Sequence, residues 1–184
     1  IIMELKTQNS KLKTKKGFTL IELLIVIGII SILATAVVLV LNPAQLLAQA
    51  RDSTRISDLG SVKSAIGLYL ATATTPTFVS DGPRATASAT TAFGAGTLAT
   101  SSVSGAGWVA INLTGTTGGA ALSVLPLDPT NTATYQYSYK GYTTDLTFEL
   151  DTTLESTKYS GMKDTDGGSS SVYYEVGTDP GLDL

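Results

Sequence analysis

Glu22 is the one charged side chain between Phe18 and Leu41, in a run of apolar residues interrupted only by Thr19, Gly28, Ser31 and Thr35. A charge at the centre of a bilayer costs about 2.5–3.5 kcal/mol on insertion scales, so an acid kept in such a run is a functional candidate by default. A second set of carboxylates lies near the other end. Asp164 and Asp166 flank a Gly167-Gly168 turn, and Asp179 and Asp183 follow. Hard cations take several oxygen ligands, which makes Asp164, Asp166 and Asp179 candidate calcium ligands. Their spacing departs from the EF-hand pattern, because no third acid precedes Gly167 and no Glu closes the loop. Asx-turn chemistry explains the same aspartates without a metal. The tyrosines at 135, 137, 139, 142, 159, 173 and 174 offer stacking surfaces, but alternate tyrosines on a strand face two ways and some must pack a sheet. No motif nominates a pair of acids for hydrolysis.

Composition narrows the classes. The chain has 184 residues, enough for one modest domain plus extras, and contains neither Cys nor His. That removes disulfide frameworks, Cys/His metal sites and every nucleophile–His arrangement. An enzyme is not expected. The net charge of −3 is unevenly placed. Lys6, Lys11, Lys13, Lys15 and Lys16 precede residue 17 with only Glu4 against them, which leaves the remainder at −7. An acidic body repels phosphate backbones, so direct nucleic-acid binding is not expected.

The elements that position these residues start with a helix. As a helix, the 24 residues from Phe18 to Leu41 extend about 36 Å, enough to cross a bilayer core of roughly 30 Å. The lysines before it place the amino terminus in the cytoplasm by the positive-inside rule. A secretory signal would carry its small-residue cleavage site after the apolar stretch, not before it. A plain single-pass anchor, with Gly17 as a turn residue and Glu22 snorkelling to the interface, is the competing reading.

The segment Lys16-Gly17-Phe18-Thr19-Leu20-Ile21-Glu22, followed by Leu23-Leu24-Ile25-Val26-Ile27, resembles the class III leader of type IV pilins and pseudopilins. The resemblance is sharp over about 16–42. It implies cleavage between Gly17 and Phe18 by a membrane prepilin peptidase, methylation of the new amino group on Phe18, and a part for Glu22 in filament assembly. It also implies partners: identical or related pilin subunits, the peptidase/methyltransferase, an assembly ATPase and a membrane platform protein. Related major pseudopilins hold calcium in a carboxy-terminal loop, which bears on Asp164, Asp166 and Asp179. Leu125-Pro126-Leu127-Asp128-Pro129 is similar to a Leu-Pro-x-Asp-Pro segment of major pseudopilins and also reads as an ordinary proline-rich turn.

Beyond Leu41, apolar residues at Leu46, Leu47, Ala50, Ile56, Leu59, Val62, Ile66, Tyr69 and Leu70 recur at three and four, an amphipathic helix. Asp52, Arg55 and Asp58 are spaced to pair on its solvated side for about 0.2–0.5 kcal/mol each. Pro43 either kinks the helix or opens a new segment capped by Asn42. Residues 72–107, rich in Thr, Ala, Ser and Gly, read as a surface loop. Strands are expected at Trp108–Leu113, Tyr135–Lys140, Thr143–Asp151 and Val172–Val176, with a hairpin turn at Gly141. Leu146, Phe148 and Leu150 share the face covered by the helix, and Thr147 and Glu149 share the other.

The expected fold is α+β and pilin-like: leader 1–17, hydrophobic helix 18–42, amphipathic helix 43–71, loop 72–107, and an antiparallel sheet of about four strands over 108–184. The expected function is a filament subunit. The precursor sits in the cytoplasmic membrane as a single-pass protein and then joins an extracellular pilus. A pseudopilus serving secretion or competence is the alternative, and a membrane-anchored ligand-binding module is the reading from another class.

Overall fold

The computed structural model describes residues 17–184, so the five lysines of the leader lie outside the described residues. Those residues divide into two units, the second starting at Pro43.

In the first unit, α1 spans Leu20–Leu41. Its start is set by Thr19, an extended N-cap that forms a capping box with Glu22. Leu20–Val38 is long and apolar enough to cross a membrane. Its large hydrophobic side chains are exposed, and apolar residues occur all round the helix, so the segment has no core of its own. The helix ends where Asn42 takes a left-handed conformation, with φ 41°. The following proline disfavours helical backbone at Asn42, and Asn tolerates the left-handed region better than most residues.

In the second unit, α2 spans Pro43–Thr72, with Pro43 at its first position, where the missing N–H costs nothing. Leu59, Val62, Ala65, Ile66 and Tyr69 are buried, and they pack with Trp108, Ile111, Tyr137, Phe148 and Leu150 in one core.

A five-stranded sheet has the order β4-β1-β5-β6-β7, where β1 is Arg84–Ala85, β4 Thr97–Leu98, β5 Ser138–Tyr142, β6 Thr147–Thr152 and β7 Tyr174–Gly177. β1 and β4 pair in parallel and the other neighbours are antiparallel. A separate hairpin joins β2, Thr90–Thr91, to β3, Gly94–Ala95.

Several sequence expectations are corrected. The 72–107 stretch contributes two strands to the sheet, so the sheet is mixed and extends beyond residues 108–184. These strands are two residues long, too short to leave a period in the sequence. Trp108–Leu113 is not a strand. Trp108 through Ile111 are all fully buried, and their backbone bonds go to scattered loop partners, such as Trp108 N to Thr100 O at 2.8 Å and Val79 N to Ala110 O at 2.7 Å. A short apolar run reads alike for a strand and a buried coil. The hairpin turn lies at residues 143–146, with Leu146 at φ 56°, and Gly141 lies inside β5. A Cβ there would stand 2.5 Å from Tyr139 Oη, so Gly141 is needed for packing and not for turning.

The face carrying Glu149 is covered too. Ser138, Glu149, Asp151 and Glu175 are buried on it. Ala92 N donates to Ser138 Oγ (3.4 Å), Leu184 N donates to Glu149 Oε2 (3.0 Å), and Ser170 N donates to Glu175 Oε2 (2.8 Å), which marks the segments that close over it.

Candidate functional site

At the start of α1, Glu22 Oε2 accepts from both Thr19 N and Thr19 Oγ1 at 2.8 Å, and Glu22 N donates to Thr19 Oγ1 at 3.3 Å. The acid therefore satisfies the backbone donor of the N-cap residue and lies at the positive end of the helix dipole. Phe18, next to it, is 90 % exposed. A Cβ on Gly17 would meet nothing within 4 Å, so nothing inside the chain demands glycine there. Gly17, Phe18 and Glu22 are thus consecutive features of one exposed helix start.

The family model for the prokaryotic N-terminal methylation motif matches residues 12–38. The chain carries this motif. The methylation motif is the class III leader of type IV pilins and pseudopilins, and the α+β arrangement behind it is pilin-like. The motif supports a type IV pilin- or pseudopilin-like precursor. No curated protein and no solved structure matches it.

Behind the motif, Asp52 and Arg55 are fully buried, not solvated as their spacing suggested. Arg55 Nε and Nη2 donate to the two oxygens of Asp128 at 2.6 and 3.0 Å, and Nη1 donates to Asp52 (2.9 Å) and Glu155 (2.6 Å). Its guanidinium also lies 4.8 Å from the Tyr135 ring centroid. Asp52 accepts from the backbone N–H groups of Glu155 and Ser156. Asp58 pairs not with Arg55 but with Tyr137 Oη, at 2.7 Å. Burial raises the Asp128 pKa, but bonds from Arg55, Thr130 and Asn131 outweigh it and hold the carboxyl below its usual range. Bonds from Arg51, then Arg55, lower that of Glu155 despite some burial. The proline-flanked Asp128 is therefore an anchor for α2.

The three candidate calcium ligands are not brought together. Asp164 pairs with Lys163 at 3.0 Å. Asp166 accepts from Gly168 N at 3.0 Å and Glu175 N at 2.9 Å, so its two oxygens serve the backbone of the loop and of β7. Asp179 accepts from Asp183 N. Turn chemistry occupies these side chains.

Among the described residues, the carboxylates that do converge are Glu149, Asp151 and Glu175, with oxygens within 4.8 Å of one another. Burial, followed by repulsion from Glu149 and Glu175, pushes the Asp151 pKa well up, and burial pushes that of Glu149 up to about 7. Two acids at i and i+2 in an expected strand were the available signal, since they share a face. The expectation that this face met water hid its meaning.

Proposed function

We propose that the chain is the subunit of a surface pilus: it is cleaved between Gly17 and Phe18, methylated on the Phe18 amine, and polymerised through α1. The observation that carries this reading is the lone acid Glu22 at the start of an otherwise uncharged apolar helix, inside the methylation motif. Cleavage creates an ammonium four residues before Glu22. An ammonium favours the charged form of a nearby carboxylate, whereas an unpaired acid in apolar surroundings is costly. In the filament Glu22 pairs with the methylated amine of a neighbouring subunit and exchanges its Thr19 partners for it. Lateral burial of Leu and Ile side chains, worth about 1.5–3 kcal/mol each, drives packing once α1 leaves lipid. The peptidase acts on the membrane-anchored precursor, whose leader faces the cytoplasm, and an assembly ATPase and a platform protein do the mechanical work.

The test is the amino-terminal sequence and mass of the mature protein. A subunit beginning at methylated Phe18 supports the reading, and one that retains residues 1–17 points to a membrane-anchored binding module. Imaging labelled filaments separates a long surface pilus from a short secretion pseudopilus.

A further inference from the structure

Glu149 and Asp151 alternate along β6 and so project from one face of the sheet, and Glu175 is the cross-strand partner of Asp151 on β7. Like charges placed directly opposite destabilise a sheet, yet here three are packed together and left 1 %, 2 % and 3 % exposed. Two of them are oriented by backbone donors, Glu149 by Leu184 N and Glu175 by Ser170 N. Asp151 Oδ1 is hidden from solvent and has no hydrogen-bond partner. Among the described residues none of the three forms a salt bridge. Lys140 is the cross-strand partner of Glu149, but its Nζ stands 5.9 Å from the Phe93 ring centroid and outside ion-pair distance of any carboxylate among the described residues. The loop from Asp166 to Ser170 lies against the cluster, and Gly168 makes this approach possible, since a Cβ there would overlap the Glu175 carboxylate.

We propose that Glu149, Asp151 and Glu175 bind one hard divalent cation, calcium before magnesium, in the cleft between the β6–β7 face and the Asp166–Ser170 loop. Two oxygens on opposite sides of a calcium ion at about 2.4 Å lie about 4.8 Å apart, and the three carboxylates fall within that span. All-oxygen donors suit a hard ion. The cleft, of ≈ 160 Å³, leaves room for waters to complete the six to eight ligands that calcium takes. Magnesium demands a near-ideal octahedron, which donors fixed on two strands do not supply. The donor set differs from Asp164 and Asp179, and the inference does not rest on the filament reading.

The test uses the full chain, purified in detergent and stripped with chelator, titrated calorimetrically with calcium chloride and separately with magnesium chloride, with thermal melts alongside. Wild type, Asp164→Asn and Asp179→Asn should each bind one calcium and melt higher as calcium is added. Asp151→Asn and Glu175→Gln should lose affinity by about tenfold or more. The wild-type titration needs no variant to fold, and chelated Asp151→Asn should melt no lower than chelated wild type, because it removes a buried charge. A folded wild type that binds neither ion at millimolar concentration overturns the proposal and leaves the acids holding protons instead. Binding that survives both Asp151→Asn and Glu175→Gln, or that disappears in Asp164→Asn, also overturns it.

Discussion

Replacing Arg55 with Ala should destabilise the second unit far more than replacing Arg51. Arg55 is fully buried and donates five hydrogen bonds, two to Asp128 and one each to Asp52, Glu155 and Thr130. Its loss leaves Asp128 and Asp52 buried without their cation, and breaking a buried pair by removing one partner costs about 3–5 kcal/mol. Arg51 keeps 32 % of its side chain exposed and shares only Glu155, so solvent screens the pair and its loss should cost much less. For a domain of roughly 150 residues, 1 kcal/mol moves the melting temperature by about 2–4 °C, so Arg55→Ala should lower it by about 6–20 °C. Trp108 is the only tryptophan and lies in the core, which makes its fluorescence in a urea titration of the detergent-solubilised chain a direct readout. Arg55→Lys should recover only part of the loss, because an ammonium cannot bond both Asp128 oxygens in a fork. Equal losses in Arg55→Ala and Arg51→Ala would refute the reasoning, for the buried network would then contribute no more than a surface pair.

Acid should act through the same groups: the depressed pKa values of Asp128 and Glu155 contribute stability that is present above the ordinary carboxylate range near 4 and lost as pH falls through the lower folded-state values. The gap in melting temperature between wild type and Arg55→Ala should therefore narrow from pH 6 to about pH 3. Trp108→Phe removes the donor at 2.9 Å from the Pro126 carbonyl and should cost about 1–3 kcal/mol in a urea titration followed by circular dichroism, since the variant lacks the fluorescent probe. Gly17→Val should leave full-length precursor in the membrane on an immunoblot, since a peptidase cleft must approach a backbone that the chain itself leaves open. Glu22→Leu should be inserted and cleaved normally yet form no filaments by electron microscopy when it is the sole subunit, and abundant filaments of wild-type length would return Glu22 to a tolerated membrane acid.

The amino-terminal segment was legible because its signal is local: an apolar run, a lone acid and a preceding Gly-Phe need no tertiary partner to be read. The core half of α2 was legible for a related reason, since Leu59, Val62, Ile66 and Tyr69 carry the period of the buried face in their own side chains. The same three-and-four spacing carried backward from Leu59 lands on Arg55, Asp52 and Ala48, all buried. Chemistry hid two of these, because charged residues at core positions read as a solvated face until their distant partners are known. Asp128 and Glu155 lie 73 and 100 residues from Arg55, and no local pattern reports such pairings. The two-residue strands β1 to β4 were illegible because backbone pairing alone defines them.

The two buried polar clusters of the second unit are balanced differently. Around Arg55, two guanidinium groups and several backbone N–H donors meet Asp52, Asp128 and Glu155, so the chain neutralises its own acids at the positions where it buries them. On the other face of the sheet, Glu149, Asp151 and Glu175 are buried as deeply, but only Glu149 and Glu175 receive backbone donors and Lys140 lies over an aromatic ring instead of among them. An acidic composition alone does not produce that contrast, because the same chain does both. Among the described residues no cation pairs with these three acids, so protons and a metal ion are the two ways to balance them, and the two differ in what they require. Protons need only burial, whereas an ion needs converging oxygens, space for its waters and a loop without a side chain in the way, which Gly168 provides beside Glu175.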